Sequence, residues 1–408
     1  MQKLKWLYPG MLIKRWIFFT TIGVFLISMG FTVVISEQFA TSRTFGSIIV
    51  FIGIICVISG IKRMIRSFIS VLLPNEDERL VDRFFSRRVL AKGIKVVAIG
   101  GGHGLSTLLQ GLKRYTNNIT AIVTVADDGG SSGRLREEFD VLPPGDIRNC
   151  LVALANETAL LGDLFQFRFK EGGQALKGHN FGNLFITAMT RVTGDFEKAI
   201  KESSKVLAIR GKVVPSTTAK VILSAQYKDG SVIRGESKIP EKQIPIERMF
   251  IEPEDCIPTD DAITAIREAD VIVIGPGSLY TSIMPNLLIK GLAKEIQKSK
   301  VKKIYICNVM TQPGETDNYT LSDHLDAIIK HTAEGLIDYV VVNNQNVPNS
   351  LLEKYEKEGA YPVKKDKEEI KKLGVKIVTA NIINSQDYIR HNPKRLAKII
   401  LDIVSSVF

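Results

Sequence analysis

The sequence lacks paired cysteines, internal repeats and low-complexity segments. Its four cysteines, Cys56, Cys150, Cys256 and Cys307, lie far apart, with no CxxC pair and no histidine at metal-ligand spacing. This spacing disfavours a disulfide framework and a structural zinc site, and we expect buried, unbonded thiols instead. The lack of repeats disfavours a solenoid or scaffold architecture.

Two common phosphate-binding fingerprints are also missing. The glycine-rich stretch at residues 100–104 does not fit G-x-G-x-x-G, because the last position is Leu105 in one register and Thr107 in another. It also has no Lys-Ser/Thr ending, so it is not a P-loop. A nicotinamide-dependent dehydrogenase would need the missing fingerprint, and the sequence disfavours that class of enzyme.

The positive charge of the chain is concentrated at one end. The 408 residues carry a formal charge of +11, and residues 1–92 hold thirteen Lys and Arg against five Asp and Glu, a net +8. Only +3 remains for the other 316 residues. A nucleic-acid-binding face on the main domain therefore has little support, and we expect no nucleic-acid partner.

Two uncharged apolar runs precede the main domain. Residues 16–35 and 44–61 are each near the roughly 20 residues needed to cross a membrane, so we predict a transmembrane hairpin that contacts membrane lipid. Basic residues flank its outer ends: Lys3, Lys5, Lys14, Arg15, Lys62, Arg63 and Arg66. The positive-inside rule then predicts a multi-pass protein of a bacterial cell membrane, with both termini and the main domain cytoplasmic.

The chain divides into three parts on this reading. Residues 1–66 form the hairpin, residues 67–92 a juxtamembrane linker, and residues 93–408 a nucleotide-binding domain. The linker alternates charged and apolar residues. It fits either an amphipathic helix on an anionic membrane surface or a solvated linker helix.

Short β-branched runs alternate with helical stretches after Lys92, which predicts βαβ units in an α/β, Rossmann-like fold with a mostly parallel sheet. The predicted strands span residues 95–99, 119–125, 271–274, 303–307, 339–342 and 375–378. The predicted helices span residues 105–115, 146–155, 181–190, 260–269, 287–298, 321–331 and 394–404. Residues 212–252 are predicted to be a small antiparallel insertion with a hairpin at 219–226 and 231–236.

The first predicted strand runs into a glycine loop and a helix, with candidate phosphate contacts at Gly101, Gly102, His103, Gly104 and Ser106. Glycine allows close approach of the backbone, and a helix N-terminus attracts anions. The second strand ends at Asp127 and Asp128, which fit a divalent cation such as Mg²⁺ or a ribose. A helix N-cap region is the alternative there.

Further polar residues follow these and later strands. The candidate nucleotide and phosphate contacts among them are Ser131, Ser132, Arg134, Arg148, Asn149, His179, Asn180, Asn183, Gly275, Gly277, Ser278, Tyr280, Asn308, Thr311 and Gln312. Asp146 is expected to cap the helix that carries Arg148 and Asn149. Because ligands bind beyond the carboxyl ends of parallel strands, we expect the loops at Gly102, Asp128, Gly277 and Thr311 to converge on one pocket.

Five motifs resemble the 2-phospho-L-lactate transferase (CofD-like) family and, more closely, the bacterial gluconeogenesis factors (YvcK-like). They are ADDGGSSGRLR at residues 126–136, LPPGDIRNCLVALA at 142–155, GHNFGNLF at 178–185, GPGSLYTSIMPNLL at 275–288 and NVMTQPGET at 308–316. The resemblance covers about residues 94–408. His103 departs from it, because the family loop usually has Thr there, and the hairpin is absent from the usual cytosolic members.

The resemblance implies a CofD-like fold and two alternative functions. The gluconeogenesis-factor branch implies a regulator that binds UDP-N-acetylglucosamine or UDP-glucose and supports cell shape and wall synthesis on gluconeogenic carbon sources. The transferase branch implies an Mg²⁺-dependent enzyme that moves phospholactate from a nucleotide diphosphate donor to a deazaflavin alcohol. No activated protein nucleophile is recognisable, which favours the first, and homo-oligomerisation stays open.

Overall fold

The computed structural model describes residues 13–36, 40–72, 89–156, 159–385 and 388–406. It separates into two compact units, Met1–Arg87 and Arg88–Phe408. The first contains the predicted hairpin and the second the predicted nucleotide-binding domain. Most of the predicted amphipathic segment, residues 73–88, lies outside the described residues.

The N-terminal unit contains two long apolar helices, α1 (Ile13–Ser36) and α2 (Ala40–Leu72). Each includes one of the predicted apolar runs, and each is long and apolar enough to cross a membrane. Their large side chains point outward, with Phe18, Phe25 and Phe51 all more than half exposed. These properties are compatible with membrane association but are weak evidence for it by themselves.

Glycines bring the two helices together. Among the described residues of this unit, the buried positions are glycines at seven-residue intervals: Gly23 and Gly30 on α1, and Gly46, Gly53 and Gly60 on α2. A Cβ atom on Gly23 would lie 2.9 Å from the Gly53 carbonyl oxygen, and one on Gly30 would lie 2.8 Å from that of Gly46. Small residues allow this close approach of helix backbones in an apolar medium.

The second unit is built on a seven-stranded sheet in the order β10-β9-β8-β7-β1-β2-β3. All of its neighbouring strands pair in parallel. The strands are β1 (Val96–Gly100), β2 (Ile119–Val123), β3 (Lys212–Pro215), β4 (Ile222–Tyr227), β5 (Val232–Arg234), β6 (Ile246–Glu252), β7 (Val271–Ile274), β8 (Lys302–Ile306), β9 (Tyr339–Asn343), β10 (Lys376–Ala380), β11 (Ile383–Ser385) and β12 (Ile389–His391). The predicted α/β, Rossmann-like fold is confirmed.

Helices connect these strands and cover the sheet. They are α3 (Gly102–Leu112), α4 (Gly130–Phe139), α5 (Gly145–Leu154), α6 (Ala159–Gln166), α7 (Gly173–Leu176), α8 (Phe181–Thr193), α9 (Phe196–Val206), α10 (Asp260–Glu268), α11 (Met284–Leu287), α12 (Leu292–Lys298), α13 (Leu321–His331), α14 (Asn349–Lys357), α15 (Lys367–Lys372) and α16 (Pro393–Ser405). The central strands β1 and β7 are buried at every position. This is the pattern of parallel strands covered on both faces.

The predicted antiparallel insertion is present but begins later than expected. Strands β4, β5 and β6 form a separate three-stranded antiparallel sheet. The preceding strand Lys212–Pro215 instead pairs in parallel with β2 and forms one edge of the main sheet. Placing residue 212 in the insertion was therefore wrong, because the sequence of a short edge strand does not reveal its partner.

One predicted helix is interrupted. Of the segment predicted as a helix at residues 287–298, only its first residue lies in α11, and α12 begins at Leu292 after Gly291, whose φ of 91° is left-handed. Glycine adopts this conformation without steric cost, whereas a continuous helix needs negative φ. The structure also contains helices that the sequence did not predict, including α4, α6, α9 and α14.

Candidate functional site

The order of the strands creates a crevice at the carboxyl edge of the main sheet. Strand β1 lies between β2 and β7, so the chain proceeds from β1 to one side of the sheet and later returns to its other side. The loops that follow β1 and β7 therefore start at neighbouring strand ends and run in opposite directions, which leaves a crevice between them. Ligands of open α/β sheets bind at such a switch point.

The loop after β1 brings a helix N-terminus to this crevice. Helix α3 starts at Gly102, three residues before the predicted start, and Gly102 has a left-handed φ of 61°. A Cβ atom on Gly104 would lie 2.3 Å from the Pro276 carbonyl oxygen in the loop after β7. Glycine at position 104 is thus required for the two loops to touch.

The loops after β7 and β8 are joined by side-chain hydrogen bonds. The Gln312 Nε2 amide donates to Ser278 Oγ at 2.6 Å, and Asn308 Nδ2 donates to Gln312 Oε1 at 3.1 Å. Polar side chains from both strand ends therefore form one continuous wall of the crevice.

These loops enclose a cleft of about 400 Å³, which we call the switch cleft. Nine predicted site residues line it: Gly101, Gly102, His103, Gly104, Gly277, Ser278, Asn308, Thr311 and Gln312. The segments at Gly102, Gly277 and Thr311 converge as predicted. Asp128 does not line the switch cleft.

Several residues of the switch cleft were not predicted. Tyr355, Ile389 and His391 approach it from α14 and from β12 of the two-stranded β11–β12 sheet. The Tyr355 hydroxyl accepts a hydrogen bond from the Ile389 backbone N–H at 3.2 Å. The two strands of this sheet have three residues each, too few for a periodic pattern to stand out in the sequence.

The histidines of the switch cleft favour the neutral form. Burial lowers the pKa of His103, and the positive charges of Arg390 and Arg148 lower it further. Burial also lowers the pKa of His391 to about 4. At neutral pH, anion binding here would therefore depend on backbone amides and the α3 N-terminus rather than on imidazolium charge.

Partly buried carboxylates lie beside the switch cleft on the β2 side. Asp146 was expected to cap α5, but Pro144 is the N-cap and the Asp146 carboxylate accepts a hydrogen bond from the Gly102 N–H. Burial, with a further contribution from Asp127, raises the pKa of Asp146 to about 7. Asp146 thus connects the glycine loop to the start of α5.

Glu236, which was not predicted, lies with Asp127, Asp128 and Asp146 in a cluster that we call the acidic group. Burial raises its pKa to about 8, and the charges of Asp127, Asp128 and Asp146 contribute to the rise. It comes from the insertion, distant in sequence from the other three. Nothing in its local sequence distinguishes it from a surface glutamate.

The predicted cation ligands Asp127 and Asp128 bind different backbone amides. Asp127 Oδ1 accepts from the Gly129 N–H at 2.9 Å, and Asp128 Oδ1 accepts from the Ser237 N–H at 2.8 Å. Among the described residues, no three His, Cys, Asp or Glu side chains form a group that fits a metal ion. Mg²⁺ commonly takes only one or two carboxylates and completes its shell with water and phosphate oxygens. The two residues fit that partial role, and the Mg²⁺ site stays a prediction.

A buried polar network centres on Ser131. Its Oγ lies 3.1 Å from His179 Nδ1 and accepts from Asn183 Nδ2 at 3.2 Å and from the Asn180 N–H at 3.3 Å. Arg148 donates to Asn183 Oδ1 at 3.0 Å and to Asn149 Oδ1 at 2.7 Å. The network joins the starts of α4, α5 and α8, and its residues are absent from the lining of the switch cleft.

The remaining predicted residues have varied surroundings. A Cβ atom on Gly145 would lie 2.3 Å from Ser132 Oγ and 3.0 Å from Asp127 Oδ2, so Ser132 lies between the network and the acidic group. Arg134 donates to the Lys177 carbonyl, and Ser106 donates to the His103 carbonyl. Tyr280 is buried and bonds Tyr319 at 2.8 Å, and Gly275 has a left-handed φ of 82°. Ligand contact by these residues and by the network stays a prediction.

Comparison with known proteins identifies the family of this chain. Residues 96–383 match the family model described as 2-phospho-L-lactate transferase CofD. The gluconeogenesis factor of Bacillus subtilis (strain 168) is 51% identical over 311 residues, which cover 76% of this chain and 98% of the relative. The chain belongs to the CofD family, in the group of gluconeogenesis factors.

Two further relatives differ in how much of this chain they cover. A crystal structure of a Bacillus halodurans protein is 51% identical, with a TM-score of 0.73 over 76% of this chain and 99% of that one. A Clostridium acetobutylicum relative is 44% identical over 99% of this chain and 92% of its own length. The alignment to this third family member therefore includes the N-terminal helices, whereas the Bacillus alignments cover about three quarters of the chain.

Proposed function

We propose that this protein is a regulator that binds a UDP-sugar, such as UDP-N-acetylglucosamine or UDP-glucose, in the switch cleft. The observation that carries the proposal is the convergence of the loops after β1, β7 and β8 on one cleft of about 400 Å³. Glycine backbone and a helix N-terminus suit a diphosphate. In the cell, such a regulator would adjust wall synthesis and shape during growth on gluconeogenic carbon sources.

Calorimetric titration of the full-length protein with UDP-N-acetylglucosamine and UDP-glucose tests this proposal. Gln312→Ala removes the side chain that joins Ser278 and Asn308 in the cleft wall. We expect it to weaken binding by about 0.5–1.5 kcal/mol, the usual net contribution of a neutral hydrogen bond. The control is Lys371→Ala, which breaks only an exposed ion pair with Glu368. An absence of heat at millimolar ligand contradicts the proposal.

A second candidate function is an Mg²⁺-dependent phospholactate transferase. The CofD match and the group formed by Asp127, Asp128, Asp146 and Glu236 favour it. A bound Mg²⁺ would neutralise negative charge that develops on the diphosphate, and the acceptor alcohol would supply the nucleophile. Product formation from a nucleotide diphosphate-phospholactate and a deazaflavin alcohol tests this function. No product under saturating Mg²⁺ contradicts it.

A further inference from the structure

A second cavity adjoins the switch cleft at the carboxyl ends of β8 and β9. It measures about 380 Å³, and Asn308 and Val309 line both spaces. We call it the amide pocket and define it by Asn308, Asn346, Asn349, Leu321, Val342 and Leu352. The two spaces are therefore neighbours at the edge of the sheet, and Asn308 borders both.

The amide pocket combines apolar walls with several amides, of which two exposed ones have no partner among the described residues. The Asn343 side chain is bonded within its own turn, because its Nδ2 donates to the Gln345 carbonyl at 2.7 Å. The Asn344 side chain accepts a hydrogen bond from Lys365 at 3.1 Å. The side chains of Asn346 and Asn349 have no hydrogen bond to any other described residue. Each amide offers a donor and an acceptor side by side.

The opposite side of the switch cleft has a different chemistry. There, beyond β2, lie Asp127, Asp128 and Glu236, whose carboxyl oxygens accept hydrogen bonds. Such groups suit the hydroxyl donors of a sugar. No carboxylate and no aromatic ring is among the described residues that line the amide pocket, whereas a flat base edge presents alternating donors and acceptors that an amide matches.

We infer that the amide pocket holds the nucleobase of the bound nucleotide. The ligand then runs in one direction along the sheet edge, with the base beyond β8 and β9, the diphosphate at β1 and β7, and the sugar toward the carboxylates beyond β2. Apolar walls with a few placed polar groups are the usual design of a pocket for a flat ligand. This inference rests on the proposed function and adds the orientation of the ligand to it.

Calorimetry with two ligands separates the base from the phosphates. The full-length Asn346→Ala/Asn349→Ala variant loses two exposed amides, so we expect it to fold. Its affinity for UDP-N-acetylglucosamine should fall about tenfold, the effect of two neutral hydrogen bonds, and its affinity for inorganic pyrophosphate should stay the same. The control is Ser350→Ala, which changes an exposed residue in the same turn that does not line the pocket.

The outcomes distinguish this inference from the proposed function. Unchanged affinity for UDP-N-acetylglucosamine in the double variant, with clear binding by the wild type, overturns the orientation and leaves the proposed function intact. Equal loss for both ligands also overturns it, because the amides would then act on the phosphates or on the fold. A wild type that binds neither ligand overturns both proposals.

Photochemical labelling gives an independent readout that does not depend on affinity differences. A UDP-N-acetylglucosamine analogue with an azido group on the uracil ring should label a peptide within residues 342–352 of the wild-type protein. Excess unmodified UDP-N-acetylglucosamine should suppress the labelling. A label within residues 126–146 would place the base beside the carboxylates and overturn the inference.

Discussion

The N-terminal helices and the second unit both use glycine to bring backbones into contact, but the contacts serve different purposes. In the hairpin, Gly23 and Gly53 let one helix lie against another. In the second unit, Gly104 lets a helix N-terminus meet the loop after β7, and that unit also buries ionisable groups such as Arg148 and Glu315. The same residue type therefore serves packing in one region and site geometry in the other.

The largest expected effect is that of Gly104→Ala. The added Cβ would lie 2.3 Å from the Pro276 carbonyl oxygen and 2.7 Å from its carbon, and backbone atoms cannot move aside as a side chain can. We expect the two loops to separate, with a loss of about 3 kcal/mol of unfolding free energy, the upper end for overpacking. Denaturant unfolding measures the loss, and calorimetry should show weaker binding of UDP-N-acetylglucosamine. Unchanged stability and binding would contradict the role given to Gly104.

The second prediction concerns an ionisable group buried in the second unit, Glu315. Burial raises the pKa of Glu315 to about 7, although Thr281 Oγ1 and two backbone amides donate to its carboxylate. A carboxyl whose folded pKa is raised stabilises the protein below its unfolded pKa, near 4.5. That contribution falls as the pH rises above 4.5 and is lost once the pH has passed about 7, because over this range the unfolded state releases its proton while the folded state still holds it.

Glu315→Gln removes this titration and keeps an acceptor for Thr281. Relative to the wild type, the variant should gain about 2–3 kcal/mol of unfolding free energy between pH 4.5 and pH 8, the free energy of a shift of this size. Denaturant unfolding at both pH values measures the difference. Glu368→Gln is the control, because that side chain is 80% exposed. The prediction fails if Glu315→Gln keeps the pH dependence of the wild type.

The third prediction disturbs the hairpin alone. In Gly53→Val, the new Cβ would lie 2.7 Å from Ile27 Cγ1 and 2.8 Å from the Gly23 carbonyl oxygen. We expect α1 and α2 to separate at a cost of about 1–2 kcal/mol. Spin labels at the exposed positions Phe25 and Phe51, in full-length protein in detergent micelles, should report a longer distance.

The nucleotide affinity of Gly53→Val should equal that of the wild type, since the predicted site lies wholly in the other unit. Ile54→Val changes a side chain that is 42% exposed in the same turn, so it should leave the spin-label distance unchanged. If both variants lengthen the distance equally, the glycine contacts do not hold the helices together.

The sequence predicted those elements that carry their own local pattern. Strand β7 and helix α13 have the predicted bounds. Strand β7 is a wholly apolar run, and the start of α13 is marked by a capping box of Thr320 and Asp323. The edge strand β3 was misplaced because its four residues do not indicate which strand they pair with. Local pattern fixes an element, whereas pairing depends on the rest of the chain.

The same limit applies to the site. The convergence of the loops at Gly102, Gly277 and Thr311 follows from parallel topology and was predicted. Glu236, Tyr355 and His391 reach the site from distant segments, and no local motif identifies them. The glycine spacing in α1 and α2 is visible in the sequence, but its meaning depends on how the two helices face each other.

The smallest expected effect is that of Gly162→Ala, because this glycine neither packs two helices together nor shapes the site. Gly162 lies inside α6, and a Cβ atom there would meet nothing within 4 Å. Alanine loses less backbone entropy than glycine in a helix, so the variant should gain about 0.5–1 kcal/mol of unfolding free energy without any change in nucleotide affinity. It is the matched control for Gly104→Ala, because the chemical change is identical and only the surroundings differ. A loss of stability at position 162 as large as that at position 104 would mean that the glycine contacts do not explain either result.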